Sequence, residues 1–160
     1  MNMAGKVVLI TGGARGLGRE TARKLARDGA HIIIVDWEGE AGTRLRDELN
    51  AGPGSAEFRY CELTRMPAVR ELAADVLAEH DRLDVLFCNA GITDPVRRVT
   101  PEGCEHHVAT CHLAHFLLTH LLLELLKRSA PARIIITSSE AHKAGEGLDF
   151  ADLNNEKIWK

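Results

Sequence analysis

The stretch VVLITGGARGLG, residues Val7 to Gly18, decides the fold of this chain. Its first four residues are apolar and mostly β-branched, which is typical of a short strand buried on both faces. The glycines that follow allow a sharp backbone turn, and from Gly18 to Gly29 small residues recur at helical spacing. The stretch therefore predicts a strand, a tight turn and a helix, in that order.

The same alternation of strand and helix continues along the chain. The other predicted strands are His31–Asp36, Phe58–Leu63, Leu83–Cys88 and Arg133–Thr137. The predicted helices between them cover residues 38–50, the segment after Thr64, and residues 103–127. Strands joined by helical crossovers lie parallel and are covered on both faces. We therefore expect one α/β domain over residues 1–160, a Rossmann-like doubly wound parallel sheet in three layers that stops after about five strands.

Composition narrows the class of partner. The 160 residues carry a net charge of -3, which indicates neither a nucleic-acid nor an anionic-membrane partner. The four cysteines have no paired spacing and the sequence starts without a secretory leader pattern, so a reducing, cytoplasmic location is expected. The longest apolar stretch, Phe116–Leu126, is interrupted by polar residues and too short to span a bilayer, so no membrane segment is expected.

The glycine-rich turn also predicts a ligand. Glycines let the backbone approach a pyrophosphate, and the helix that follows supplies N–H donors and a positive dipole end. Asp36 closes the second strand 18 residues after Gly18. In dinucleotide-binding folds a carboxylate about 20 residues after the glycine-rich turn binds the ribose hydroxyls. The alternatives are a turn that binds nothing and an aspartate that merely begins a solvated loop.

Three motifs in register carry a family resemblance: the TGxxxGxG pattern of Thr11–Gly18, Asn89-Ala90-Gly91, and Thr137-Ser138-Ser139. Together they resemble the short-chain dehydrogenases/reductases, and the resemblance covers essentially the whole chain. Residues 83–87, 115–119, 141–142 and 149–154 resemble more narrowly the retinol-dehydrogenase-like branch. The resemblance implies an NAD(P)-dependent oxidoreductase, homo-oligomeric in its complete form. Its hydride transfer would join a nicotinamide cofactor to a small-molecule alcohol or carbonyl, lipophilic or retinol-like.

The resemblance also implies the site. The implied cofactor-binding residues are Thr11, Gly12, Arg15, Gly16, Leu17, Gly18, Asp36, Trp37, Glu62, Leu63, Asn89, Ala90 and Gly91. Ser139 is the implied catalytic residue, orienting the substrate oxygen. NAD(H) is favoured because Asp36 would repel a 2′-phosphate, while Arg15 keeps NADP(H) as the alternative.

The sequence departs from the family pattern where the proton transfer should occur. Relatives use a tyrosine and a lysine four residues later, but the one tyrosine here, Tyr60, precedes Ser139 and has Thr64 at the lysine position. The resemblance places the missing pair shortly after Lys160, so the chain is interpreted as truncated and inactive by itself. Cys111 also replaces a family asparagine. The alternatives are a non-catalytic nucleotide-binding or interaction module and an unproductive fragment.

The predicted long helix offers a candidate metal site, because His107, Cys111 and His115 follow at four-residue spacing. One straight helix cannot wrap such ligands around an ion, because two turns separate its end residues by about 12 Å. No metal is therefore expected.

Overall fold

The computed structural model describes residues 2–143, 147, 149–154 and 156–157, so the predicted domain ends, Met1 and Lys160, lie outside the described residues. The strands are β1 (Val7–Thr11), β2 (His31–Asp36), β3 (Ser55–Tyr60), β4 (Val85–Cys88) and β5 (Arg133–Ile136). The helices are α1 (Gly16–Arg27), α2 (Gly39–Asn50), α3 (Met66–Glu79) and α4 (Ala114–Arg128). A π-helical turn, Val108–Leu113, leads into α4, and a 3-10 turn, Glu140–Lys143, follows β5.

The strands form one parallel sheet in the order β3-β2-β1-β4-β5. Side chains of α1 and α2 pack on one face of the sheet, around Ile32 and Ile34, which are fully buried. Side chains of α3 and α4 pack on the other face, around Leu9 and Ile33. The predicted fold class, a doubly wound α/β sheet in three layers, is confirmed.

Several predicted boundaries were wrong. β3 begins at Ser55 and ends at Tyr60, three residues earlier than Phe58–Leu63. Its first three residues, Ser55, Ala56 and Glu57, include only one apolar side chain, but they pair in register with β2 from His31 onward, and edge-strand pairing does not require an apolar pattern. β4 is shorter than predicted, starting at Val85. The long helix begins after residue 105 and is not uniform, because its first part is the π-helical turn.

The run Val108–Arg128 is long and apolar enough to cross a membrane, judged by length and composition alone. The expectation of no membrane segment was based on the shorter apolar stretch Phe116–Leu126 and not on the whole of the predicted long helix. The criterion is weak evidence, since a core helix of a globular domain meets it too. Leu118, Leu122 and Leu125 are fully buried against the sheet, as in such a core helix.

β5 forms one edge of the sheet among the described residues. Its three isoleucines, Ile134, Ile135 and Ile136, are 42%, 45% and 66% exposed, although their sequence pattern predicted burial on both faces. β4 pairs with one side of β5 only, and neither buried core cluster of the described residues includes a residue of β5. The apolar side chains of this edge strand are therefore left uncovered by the residues that the structure describes.

Asp84 braces the amino end of the sheet. Its buried carboxylate accepts hydrogen bonds from Lys6 Nζ (2.9 Å), the Val7 N–H (2.9 Å) and the Arg82 guanidinium (2.6 and 2.8 Å). Burial opposes ionisation of Asp84, but these hydrogen bonds outweigh it and lower its pKa from 3.8 to about 2. One side chain thus joins the start of β1 to the segment before β4.

This brace predicts a defined loss of stability in acid. Because the folded pKa of Asp84 lies below its unfolded value, its contribution is present above pH 4 and lost as the pH falls from about 4 to about 2. The pKa difference corresponds to at most about 2 kcal/mol. Asp84→Asn should remove that part of the acid dependence of the unfolding free energy, measured by urea denaturation. Asp81→Asn, at an exposed neighbour, is the control and should retain it.

Candidate functional site

The glycine-rich turn joins the carboxyl end of β1 to the amino end of α1. Gly12 and Gly16 have φ of +63° and +53°, a left-handed conformation that favours glycine. A Cβ atom on Gly12 would lie 2.9 Å from the Ala90 Cα, and one on Gly18 would overlap the Gly12 carbonyl. The turn is therefore closed on its inner side by close backbone packing, while no described atom lies within 4 Å of a Cβ built on Gly16.

Asp36 is brought against this turn. The carboxylate is only 5% exposed, and it accepts hydrogen bonds from the N–H groups of Ala14 (3.0 Å) and Glu38 (3.1 Å). Sequence reasoning gave Asp36 a ligand-binding role and missed this structural one. A carboxylate has about four lone-pair positions, so two amide bonds still leave acceptor capacity for a ribose hydroxyl.

Arg15, Trp37 and Glu38 lie beside Asp36. The Arg15 guanidinium pairs with Glu38 at 2.5 Å and lies over the Trp37 ring, 5.8 Å from its centroid. Leu17 and Trp37 are 73% and 57% exposed, so both side chains are accessible to a ligand at the turn. The local charge is two carboxylates against one guanidinium.

The Thr11 hydroxyl links the turn to two other segments. Its oxygen accepts the N–H groups of Asn89 (2.9 Å) and Ala90 (3.0 Å), which occupy both lone pairs. Its hydrogen then goes to the nearer acceptor, His115 Nε2 at 2.8 Å, rather than to the Phe87 carbonyl at 3.4 Å. A buried hydroxyl thereby uses its full hydrogen-bonding capacity.

This arrangement fixes the protonation of His115. If Nε2 accepts from Thr11, the proton resides on Nδ1, which lies 3.3 Å from the Cys111 carbonyl and donates to it. Burial lowers the pKa of His115, although the Cys111 carbonyl partly opposes the shift, so the neutral ring is favoured. The sequence offered His115 as one of three candidate metal ligands and did not indicate its contact with Thr11.

The Asn89-Ala90-Gly91 segment follows β4 and lies next to the turn. The Asn89 side-chain amide donates to the carbonyls of Thr11 (3.1 Å) and Gly12 (3.3 Å). Its Oδ1 accepts from the Thr137 hydroxyl (3.2 Å), at the end of β5. A Cβ on Gly91 would lie 3.9 Å from the Cys111 sulfur. The structure thus assembles Thr11, Asn89, Thr137 and Cys111 at the carboxyl edge of the sheet.

Two predicted residues lie farther along the same edge. Leu63 is buried, whereas Glu62 is partly exposed and accepts the Tyr60 hydroxyl at 2.9 Å. A groove of about 360 Å³ between β3 and α3 includes Glu62, but the glycine-rich turn does not line it. We base the site on the turn, because its closed backbone geometry is specific and the groove is a polar surface depression.

Ser139 is exposed beyond β5, and its Oγ accepts the Ala141 N–H at 3.1 Å. It follows Thr137 by two residues, so it stands on the β5 side of the carboxyl edge. β3 and β5 are the outermost strands of the described sheet, so Tyr60, at the end of β3, lies on the other side of the sheet from Ser139. Four strand spacings separate them, roughly 19 Å.

The π-helical turn places Cys111 near this edge. Its extra residue shows in the hydrogen bond from the Ala114 N–H to the Ala109 carbonyl, five residues earlier. His107 pairs with Glu105 at 2.7 Å, and His115 is engaged with Thr11, so the helix directs its three metal-type side chains to different partners. Within the part of the chain that the structure describes, His107, Cys111 and His115 are not brought together as a metal site.

The fold and this edge define a Rossmann-type domain of the dehydrogenase class. The pattern described as "short chain dehydrogenase" matches residues 6–148, and the chain belongs to that family. It is 40% identical to human retinol dehydrogenase 11 over 99% of its length and 44% identical to mouse retinol dehydrogenase 14 over 98%. It covers 50% of each, so the chain spans about half the length of these curated relatives.

Solved structures of similar proteins have the same fold. A protein from Mycobacterium paratuberculosis superposes with a TM-score of 0.83 at 34% identity, over 98% of this chain and 54% of that one. A metagenomic short-chain oxidoreductase in complex with NADP gives 0.78 at 31% identity, over 91% of this chain and 67% of that one. The expected family, with its retinol-dehydrogenase likeness, is confirmed.

Removing the Thr11 hydroxyl should be costly. Thr11→Val leaves the Asn89 and Ala90 amides and His115 Nε2 without their shared partner, and each buried unpaired group costs about 1–3 kcal/mol. We expect a total loss of roughly 2–4 kcal/mol in urea unfolding at pH 7. Thr11→Ser keeps the hydroxyl and should lose only about 1 kcal/mol. Equal losses for the two variants would contradict the proposed role of the hydroxyl.

Proposed function

We propose that this chain is the cofactor-binding part of a nicotinamide-dependent oxidoreductase. The complete protein would transfer hydride between NAD(P) and the carbinol carbon of a small alcohol or carbonyl compound. The observation that carries the proposal is the closed turn of Gly12, Gly16 and Gly18 set against the Asp36 carboxylate. A lipophilic, retinol-like substrate is proposed from the likeness to retinol dehydrogenases.

The residues fit such a cofactor. Gly18 can have no side chain without overlapping the turn, and the backbone after Gly16 presents first-turn amides of α1, which lack intrahelical partners in any helix. The pyrophosphate would lie over these amides, and the ribose would face Asp36. When bound, the nicotinamide supplies the hydride acceptor or donor; the chain's own residues hold and orient it.

We propose that NAD(H) is preferred over NADP(H). A 2′-phosphate would face both Asp36 and Glu38, and the one guanidinium nearby, Arg15, already pairs with Glu38. NADP(H) binding would require Arg15 to leave that partner. A cytoplasmic location and a homo-oligomeric complete form also remain proposals.

Altering the charge beside the ribose should shift this preference. Glu38→Gln releases Arg15 and removes one negative charge, so the affinity for NADPH should rise relative to NADH, by up to about fivefold for a half-exposed pair. Asp36→Ala should narrow the preference too. Glu40→Gln removes an exposed glutamate of the same helix, paired with Arg44, and should leave the ratio unchanged. Fluorescence titration measures both affinities; tighter NADPH than NADH binding to the unaltered chain would contradict the proposal.

We infer further that the 160-residue chain binds cofactor but does not turn over. Ser139 can orient a substrate oxygen, but Tyr60 lies on the far edge of the sheet, bonded to Glu62, which raises the pKa of its phenol. The acid–base pair would therefore come from residues beyond this sequence. Those residues would also cover the exposed isoleucines of β5, so the chain alone should self-associate.

A direct assay tests this inference. The purified chain, checked by mass, should bind NADH yet show no cofactor-linked oxidation or reduction of medium-chain or retinoid alcohols and aldehydes. General acid–base groups contribute about 10²–10⁴-fold, so their absence should leave activity near background. Tyr60→Phe should change nothing. Catalysis by the unaltered, monomeric chain that is lost in Tyr60→Phe would overturn the inference. NADH binding without catalysis would also fit a non-catalytic binding module, and an assay of an extended form distinguishes the two.

A further inference from the structure

Three side chains of metal-binding type meet at the amino end of the sheet, opposite the cofactor edge. They are His31, the first residue of β2, Glu57 in β3, and His80, which follows α3. One nitrogen of each histidine and one carboxylate oxygen of Glu57 all lie within 4.8 Å of one another. Each residue is partly buried.

The fold brings this cluster together from three elements. His31 pairs with Ser55 across the β2–β3 ladder, so Glu57 stands two residues farther along β3 on the same face of the sheet. The end of α3 crosses that face and delivers His80. The two imidazole rings lie with centroids 5.6 Å apart. The spacing of these three residues in the sequence does not predict that they meet.

Hydrogen bonds already orient the ligands. His31 Nδ1 bonds the Ser55 hydroxyl at 2.7 Å, and His80 Nε2 bonds Glu57 Oε1 at 2.9 Å. A ligating histidine almost always has its other ring nitrogen held by such a partner. The His31 ring therefore has the support that a metal ligand requires, and Glu57 and His80 already face each other.

The neighbouring charges allow a cation. Arg59 binds Glu57 Oε2 at 2.9 Å, which opposes a metal, but its guanidinium also binds Glu79 through two nitrogens. Glu79 keeps Arg59 paired if Glu57 turns toward an ion. With neutral imidazoles, the two carboxylates and one guanidinium leave a net charge of -1.

The donor set selects the metal. Two imidazoles and one carboxylate suit Zn²⁺ and related transition metals, whereas Ca²⁺ and Mg²⁺ require mainly oxygen ligands. Ligands in a tetrahedral Zn²⁺ site lie roughly 3.4 Å apart, given bonds of about 2.0–2.1 Å. The largest separation that the cluster allows, 4.8 Å, must contract by about 1.4 Å, which rotation of partly exposed side chains can supply.

We propose that His31, Glu57 and His80 form a divalent transition-metal site of the Zn²⁺ type, with water as the fourth ligand, that clamps the end of α3 to β2 and β3. This departs from the expectation that the chain holds no metal, which was argued from the long helix. Five residue steps along β2 separate His31 from Asp36, about 16 Å. The metal therefore stabilises the domain and takes no part in hydride transfer.

Binding of Zn²⁺ and Co²⁺ to the full 160-residue chain tests the proposal. Calorimetry should give one Zn²⁺ per chain, the melting temperature should rise with Zn²⁺, and Co²⁺ should give the absorption of a tetrahedral nitrogen and oxygen site. NADH affinity should not change. Thiolate-to-cobalt charge-transfer bands would place the ion on a cysteine and overturn the assignment, as would the absence of binding.

Matched variants separate a metal site from a structural hydrogen-bond cluster. Glu57→Gln and His80→Gln should each weaken Zn²⁺ binding tenfold or more, by analogy with the 10–100-fold losses typical of altered metal shells. His120→Gln, at an exposed histidine of α4, should bind as the unaltered chain does. Arg59→Gln frees Glu57 and should tighten Zn²⁺ binding even though it weakens the metal-free fold. If the cluster is purely structural, Arg59→Gln should lower the stability of the fold without raising the affinity for Zn²⁺. That result would refute the metal site.

Discussion

The hydroxyl of Thr11 connects the parts of the chain that must meet for a cofactor site to exist. It terminates β1, accepts two amides from the segment after β4, and donates to His115 on α4. These partners come from two other parts of the sequence, yet all are satisfied by one oxygen and one hydrogen. The position of the glycine-rich turn relative to Asn89 depends on this contact, because the turn has few side chains of its own with which to be held.

The carboxyl and amino ends of the strands differ in their electrostatic environment. At the carboxyl edge, backbone amides and one buried carboxylate, Asp36, surround a turn without side-chain bulk, which leaves room for an anionic ligand. At the amino edge, ionisable side chains dominate: Asp84 is held by Lys6 and Arg82, and Glu57 by Arg59 and His80. The proposed cofactor site and the bracing ion pairs therefore lie at opposite ends of the same strands.

β5 differs from the other strands in what surrounds it. The inner strands are covered by helices on both faces, while the isoleucines of β5 are substantially exposed and Ser139 lies beyond them. The curated relatives are about twice as long as the chain. The edge at β5 is where the apolar pattern exceeds the cover that the described residues provide.

The sequence by itself determined the alternation of strands and helices, the glycine-rich turn and the place of Asp36 after β2, because these depend on local periodicity and on backbone conformations that only glycine adopts freely. It misplaced β3, since an edge strand is set by pairing with β2 and Ser55 to Glu57 contain only one small apolar residue, Ala56. It predicted a uniform long helix, where the π-helical turn instead carries Cys111. The Thr11–His115 contact, the amides held by Asp36 and the meeting of His31, Glu57 and His80 were decided only by the tertiary structure, because each joins residues whose separation in sequence has no fixed relation to their distance in space.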